Sequence, residues 1–414
     1  CSSDLPLFEK DETITQLMPQ IESGAREIIA QLSVAYPLFK DCIDGIDDER
    51  KLYRFPHGDI GEGTRELAQN ISALTSRWLR RVETLKDSLN EALSSKDYPV
   101  PTSGIELFYQ QVGSWLSRAE SLLALWDRLK QQLENNTVPL ACWLRLDDTV
   151  SGNLDIAINA SPIQATEILR EQLWGSCYAA IITSATLRSL GNFNTLKRET
   201  GMPDSAQFLS VVGAFNYTEA AVLHVPSDSV EGNAVDQHTD YIADNLSSMV
   251  EKRAGTLVLF SSRRQMEEVY DRLDTDLQQI SLIQGQYSNR EMVRLHKERI
   301  DQGKASVLIG LASFAEGVDL PGDYCKHVII AKLPFMVPDD PLHEALSEWI
   351  EDNGGNSFFD IALPIASLRL IQACGRLLRT EDDTGTVTIL DKRLLTKRYG
   401  MQLLDALPPF RRQL

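Results

Sequence analysis

The chain has 414 residues, 43% of them hydrophobic and 24% charged, enough for two or three domains that each bury a core. Its formal net charge of -18 argues against a protein that coats nucleic acid non-specifically, but leaves room for a narrow groove of locally placed Lys and Arg. No run of about 18 uncharged apolar residues is present, so no membrane span is expected. Six cysteines and six histidines are scattered without a C-x-x-C pair, which gives no metal site and reads as reduced thiols of the cytoplasm. Cys1 is followed by neither a basic n-region nor an apolar h-region, so no signal peptide is visible and a chain cut from a longer protein is expected.

The first part reads as helical. Ile14, Leu17, Ile21, Ala25, Ile28 and Leu32 recur in steps of three and four. The same spacing runs from Leu67 to Ala92 through Trp78, and from Phe108 to Leu133 through Trp115 and Trp126. Such steps line one face of a helix and predict three long amphipathic helices packed on one another, separated by breakers such as Pro56-His57-Gly58. The tryptophans fall on the apolar stripes and read as core contacts rather than as a base-stacking surface. Residues 141–146 and 154–158 then read as short strands around a turn at Gly152. A helix over 163–174 is expected next, with Ser161 as N-cap and Pro162 in its first position.

From Tyr178 onward short apolar runs alternate with helical segments. They span 180–183, 222–225, 256–260, 280–283, 307–309, 328–331 and 387–390. Little polar alternation within them predicts strands buried on both faces, hence an α/β domain with a parallel sheet between two helical layers.

Four segments carry chemistry. Residues 368–379, LRLIQACGRLLR, predict a helix with Arg369, Gln372, Arg376 and Arg379 in one polar sector and Leu370, Ile371, Cys374, Leu377 and Leu378 opposite. Guanidinium groups stay charged and donate in pairs to phosphate oxygens, so this face suits a polyphosphate; a solvated surface laced with ion pairs is the alternative. Residues 313–322, SFAEGVDLPG, follow an apolar run at the carboxyl end of a parallel strand, where open α/β sheets place ligands. There Gly317 allows an unusual backbone angle, and Glu316 and Asp319 can orient an arginine or a water, or simply form an acidic turn. ITSATL at 182–187 brings three hydroxyls to another strand end, and LVLFSS at 257–262 leads into a hydroxyl-rich helix start.

In that order, TSATL, LVLFSS, SFAEGVDLPG and QACGRLLR resemble motifs III to VI of superfamily 2 helicases, and of their XPD/DinG branch in particular. The ending DKRLLTKRYGMQLLDALPPF is similar to that of the bacterial DinG family. The resemblance implies a 5′→3′ DNA helicase driven by ATP hydrolysis between two RecA-like domains. It implies a helical Arch-like insertion at 1–160, the end of motor domain 1 with its crossover at 161–215, and motor domain 2 at 216–414. Gln372, Arg376 and Arg379 would reach the γ-phosphate. Glu316, Gly317 and Asp319 would couple that site to DNA, Ser184 and Thr186 would link hydrolysis to domain movement, and Ser261, Ser262, Arg263 and Phe215 would lie near DNA. Gly213-Ala214-Phe215 departs from the family's Ser-Pro-Phe, which puts a contact at Gly213 in doubt and keeps Phe215.

No G-x-x-x-x-G-K-[ST] loop and no D-E-x-H strand occurs. The family's ATP-phosphate loop, magnesium carboxylate and [4Fe-4S] cysteines are therefore expected upstream, and the chain alone is expected to be inactive. The expected partners are single-stranded DNA and duplex junctions, with no membrane, for a cytoplasmic monomer. The alternative is a non-catalytic helicase-like module that binds DNA or a partner.

Overall fold

The computed structural model describes residues 11–46, 50–95, 98, 100–131, 138–148, 154–211, 213, 215–336 and 340–414. They form two compact units. The first combines Cys1–Ile163 with Pro338–Asp352, the second Gln164–Val337 with Asn353–Leu414.

In the first unit the three-and-four spacing becomes helices α1 (Glu12–Leu38), α3 (Glu62–Ser94) and α4 (Thr102–Leu129), with a short α2 (Lys40–Asp44) after α1. Asp11 caps α1 by accepting from the Ile14 amide at 3.0 Å, satisfying one of the donors a helix start leaves unpaired. Ile71, Val82, Leu85 and Leu89 of α3 meet Ile105, Phe108, Val112 and Trp126 of α4 in two apolar clusters. Trp126 is fully buried, while Trp78 and Trp115 are half-buried against the same clusters. Gly24 leaves room for the Trp78 ring, whose indole N–H donates to the Ile21 carbonyl at 2.8 Å.

Strands β1 (Leu52–Phe55), β2 (Leu140–Asp148) and β3 (Leu154–Pro162) make an antiparallel sheet in the order β1-β2-β3. β3 extends further than its sequence suggests: Ser161 pairs with Ala141 and Pro162 with Leu140. Pro162 lies at the end of an edge strand, where the absent N–H is harmless. Ser161 is therefore no helix cap, and the helix expected over 163–174 begins instead at Thr166 and widens into a π turn at Arg170–Trp174.

Residues 338–352 join this unit through the helix Pro341–Asp352. Arg54 of β1 holds that helix, with Nε 3.0 Å from Glu344 and Nη1 2.8 Å from Glu348. Glu348 also accepts from the His57 amide at 2.7 Å.

The second unit holds seven parallel strands: β4 (Ala221–His224), β5 (Gly255–Phe260), β6 (Ser281–Ile283), β7 (Ser306–Leu311), β8 (His327–Ile330), β9 (Gly385–Ile389) and β10 (Arg411–Gln413). Their order is β10-β4-β9-β8-β5-β7-β6. Successive side chains face opposite ways, so each central strand feeds two cores. Leu257, Leu259, Leu308, Val328 and Ile330 lie in one, Val258, Phe260, Ile309 and Ile329 in the other. Six of the seven expected apolar runs fall on these strands. The seventh, 180–183, forms no strand, and Ile181 within it and Tyr178 just before it are exposed. A strand needs a neighbour for its N–H and C=O groups, and among the described residues none pairs with this run.

Polar groups also enter this core. His238, His296, His327 and Asp391 are buried with partners. Asp391 accepts from the amides of Gly232 at 3.0 Å and Leu333 at 3.1 Å and pairs with Arg393, tying three loops at the strand ends.

Candidate functional site

The carboxyl ends of β5, β7 and β8 open into a cavity of about 240 Å³. The chain runs from β5 to β6 and β7 on one side and then crosses to β8 on the other, so a crevice is expected there. Ser261, Ser313, Phe335, Arg369, Gln372 and Arg376 are among its lining. Ser262 is spent locally: its hydroxyl caps the helix Arg263–Arg272 by accepting from the Gln265 amide at 3.4 Å. Arg263 is exposed and pairs with Glu267 at 3.9 Å.

The arginine helix is shorter than its pattern suggests. It spans Leu363–Cys374, closes at Gly375, and leaves Arg376 and Arg379 in the turns beyond. Ser367, Leu370, Ala373 and Cys374 are buried, and burial pushes the Cys374 thiol up to about 12. The expected single polar sector therefore does not exist as a helical face. Beyond Gly375, carboxylate bonding draws the backbone out of the helix, because Asp383 accepts from the amides of Arg379 at 2.7 Å and Thr380 at 2.8 Å.

The residues are nevertheless gathered. Gln372 Nε2 donates to Thr186 Oγ1 at 3.3 Å, joining the TSATL segment to the helix end. Arg376 and Arg379 both donate to the Val318 carbonyl at 3.4 Å, and Arg379 Nε lies 3.4 Å from Asp319. For Arg379 these distances are at the long end of hydrogen bonding, so its guanidinium exchanges partners at little cost. Thr186, Phe215, Gln372, Arg376, Arg379 and Phe410 line a second cavity of about 620 Å³. Phe215 stacks towards Tyr217, with ring centroids 5.6 Å apart. It is thus grouped with the arginines and not with Ser261, Ser262 and Arg263. Ser184 is used in its own turn, accepting from the Thr186 amide at 3.3 Å.

The 313–322 segment begins with a short helix, Ala312–Glu316, whose Glu316 side chain lies outside the described residues, as does Ala214. Gly317 does not take a left-handed angle; Gly322 does, at φ 64°. The turn needing glycine therefore falls after Leu320-Pro321, where the Gly322 amide donates to Asp383 at 2.9 Å. The reading of the motifs missed Asp383; its one signal was the turn-forming composition of Thr380-Glu381-Asp382-Asp383. Burial alone would raise its carboxyl, but hydrogen bonds from Thr380, Arg379 and Gly322 outweigh this and hold it below the usual range.

Among the described residues no group of three or more His, Cys, Asp or Glu is placed to hold a metal ion. Cys142, Cys325 and Cys374 are buried singly, with thiols pushed up to about 12, which does not fit a cluster-ligand set. Among those residues no helix is long and apolar enough to cross a membrane.

Residues 246–410 match the helicase C-terminal domain family. The chain is 38% identical over 98% of its length to the ATP-dependent DNA helicase DinG of Photobacterium profundum, and 35% identical over 86% to that of Escherichia coli K12. It spans 60% and 50% of those relatives. Among solved structures, that of S. tokodaii Xpd4 covers 97% of this chain, with 71% of that chain matched, at 13% identity and a TM-score of 0.53; this likeness bears on the fold alone.

Proposed function

We propose that the chain, a DinG-like helicase by its similarity to those relatives, acts in ATP-dependent DNA unwinding as the C-terminal part of the motor. The observation that carries this reading is the meeting of Gln372, Arg376 and Arg379 with Thr186 around one cavity. Two permanently charged forks and an amide, gathered at one cavity, suit the oxygens of a terminal phosphate. Bound ATP supplies the phosphoryl group that is transferred to water. Arg376 and Arg379 bind its oxygens and offset the charge that spreads over them, as arginine fingers do. Gln372 orients, and its bond to Thr186 passes a change at the phosphate to the TSATL turn with Ser184. Glu316, Gly317 and Asp319 couple the arginines to DNA. Ser261, Ser262 and Arg263 are assigned to the nucleic-acid side, Ser262 through the helix start that it caps, and Phe215 to a nucleic-acid contact on the arginine side of the site.

We assign 1–160 to the Arch-like insertion, 161–215 to the end of motor domain 1 and 216–414 to motor domain 2. The unpaired run at 180–183 supports the middle boundary, since a motor-domain strand would need neighbours that the described residues do not supply. Magnesium and a [4Fe-4S] cluster belong, in this reading, to a part of the complete protein outside this chain, and no step here passes through them. The substrates are single-stranded DNA and duplex junctions, worked on by a cytoplasmic monomer.

The test is steady-state ATPase and ATP-free binding to single-stranded DNA by the product of the complete reading frame. Arg376→Lys and Arg379→Lys keep charge but lose the fork, and should lower kcat by about 10³-fold or more with DNA binding unchanged. ATPase that survives while DNA binding collapses places these residues on the nucleic acid and overturns the assignment.

A further inference from the structure

Asp383 is 4% exposed and its carboxylate is saturated with donors. Oδ2 accepts from the amides of Arg379 at 2.7 Å and Thr380 at 2.8 Å, and Oδ1 from the Thr380 hydroxyl at 2.8 Å and the Gly322 amide at 2.9 Å. Four short bonds to one buried carboxylate form a rigid joint, since each is charge-assisted. The joint connects two backbones: the turn that carries Arg379, and the 318–322 loop. That loop supplies the Val318 carbonyl, which accepts from both guanidinium groups at 3.4 Å, and the Asp319 carboxylate, 3.4 Å from Arg379 Nε. The Arg379 side chain is loosely held, its backbone tightly. This is the division expected where charged groups must release local partners for a ligand without losing their place.

We propose that Asp383 is a positioning residue, which sets the arginine pair against the 318–322 loop and, on the functional reading above, fixes where the guanidinium groups meet the phosphate. It touches no reacting atom. Asn at this position keeps the shape, but sets an NH₂ donor against donors and leaves at least one amide unpaired. The turn then relaxes and the arginines lose their common register.

The experiment uses the product of the complete reading frame. Asp383→Asn should lower kcat for ATP by about 10- to 100-fold, the range seen when outer supports of a site are removed, with KM for ATP and ATP-free DNA binding little changed. Combined with Arg379→Lys, its effect should be less than additive, because both act through one guanidinium. Gly322→Ala attacks the joint from the other side: its Cβ meets open space, but φ 64° disfavours it, so the loop should shift without a core clash. It should reproduce the kcat loss and add little to Asp383→Asn, which keeps the test alive should Asp383→Asn fold poorly. Wild-type kcat in both variants, alongside an impaired Arg379→Lys, overturns the inference. So does a loss that only tracks the folded fraction and adds fully to Arg379→Lys. Wild-type ATPase in Arg376→Lys and Arg379→Lys themselves overturns the functional reading instead.

Discussion

The two units use polar groups in opposite ways. In the helical unit the interior is almost wholly apolar, and its charges sit at the surface or, like Arg54, in a partly exposed cluster. In the sheet unit His238, His296, His327, Asp383 and Asp391 are drawn inside and satisfied, mostly by the backbone of loops at the strand ends. Apolar burial is non-directional and tolerates sliding, whereas a buried, fully bonded polar group fixes one arrangement. The difference teaches where positional accuracy is required: at the loops between strands, not along the bundle.

The sharpest way to break the contrast is Trp126→Ala. Trp126 is 1% exposed between α3 and α4, and its loss should cost the helical unit about 3–5 kcal/mol. Its indole N–H is buried without a partner, so Trp126→Phe also removes an unsatisfied donor and should cost under about 1.5 kcal/mol. Urea unfolding followed by tryptophan fluorescence reads both, because Trp78, Trp115, Trp126, Trp143 and Trp349 lie in this unit and Trp174 alone in the other. Equal losses for the two variants would mean that the site is not a packed apolar one.

Acidification should strike the other unit. Burial holds His296 and His327 down at about 4, and lowers His238 as well. Above pH 6.5 these rings are neutral folded or unfolded, and their stabilisation is complete. As pH falls from 6.5 towards 4 the unfolded chain takes up protons that the folded one refuses, so stability drains away, by about 2 kcal/mol at pH 5 for each of His296 and His327. In the helical unit Glu348 is held below its usual 4.5, so its contribution fades only in more acidic solution. Hydrogen exchange at pH 7.5 and 5, corrected for intrinsic rates, should show β5, β8 and β9 opening while α3 and α4 hold. Equal weakening of both would erase the contrast.

The smallest effect is expected at exposed pairs in either unit. Arg26 with Glu22, and Arg294 with Glu291 and Glu298, are solvated i,i+3 or i,i+4 partners. Ala at either arginine should leave the urea midpoint almost unchanged, in high salt most of all. A larger loss in the sheet unit alone would show that its surface, too, shares the demand for accuracy.

Legibility in the sequence follows the same line. The bundle and the sheet strands are periodic features, and the spacing of Leu67, Ile71, Val82 and Leu85, or the run at 256–260, carries them directly. What escaped depends on a single distant partner. The 180–183 run has the composition of a strand without a described neighbour, and β3 continues through Pro162 because β2 is long enough to pair with it. The helical pattern continues past Gly375, yet the backbone leaves it where Asp383 captures two amides. The gathering of Gln372 with Thr186 depends on a bond across 186 residues, which no local pattern encodes.

The excursion of residues 338–352 has a consequence for dissecting the molecule. The helical unit is discontinuous in sequence, so no single scission releases it whole. A fragment ending at Ile163 lacks Glu344 and Glu348 and strands the Arg54 guanidinium, whose side chain is only 17% exposed, without its counter-ions. The second unit, cut at the same point, carries an orphan helix with an acid face and no basic strand to receive it. Evolution by simple shuffling of either piece is closed to such an architecture, and insertion or loss has to involve both segments together.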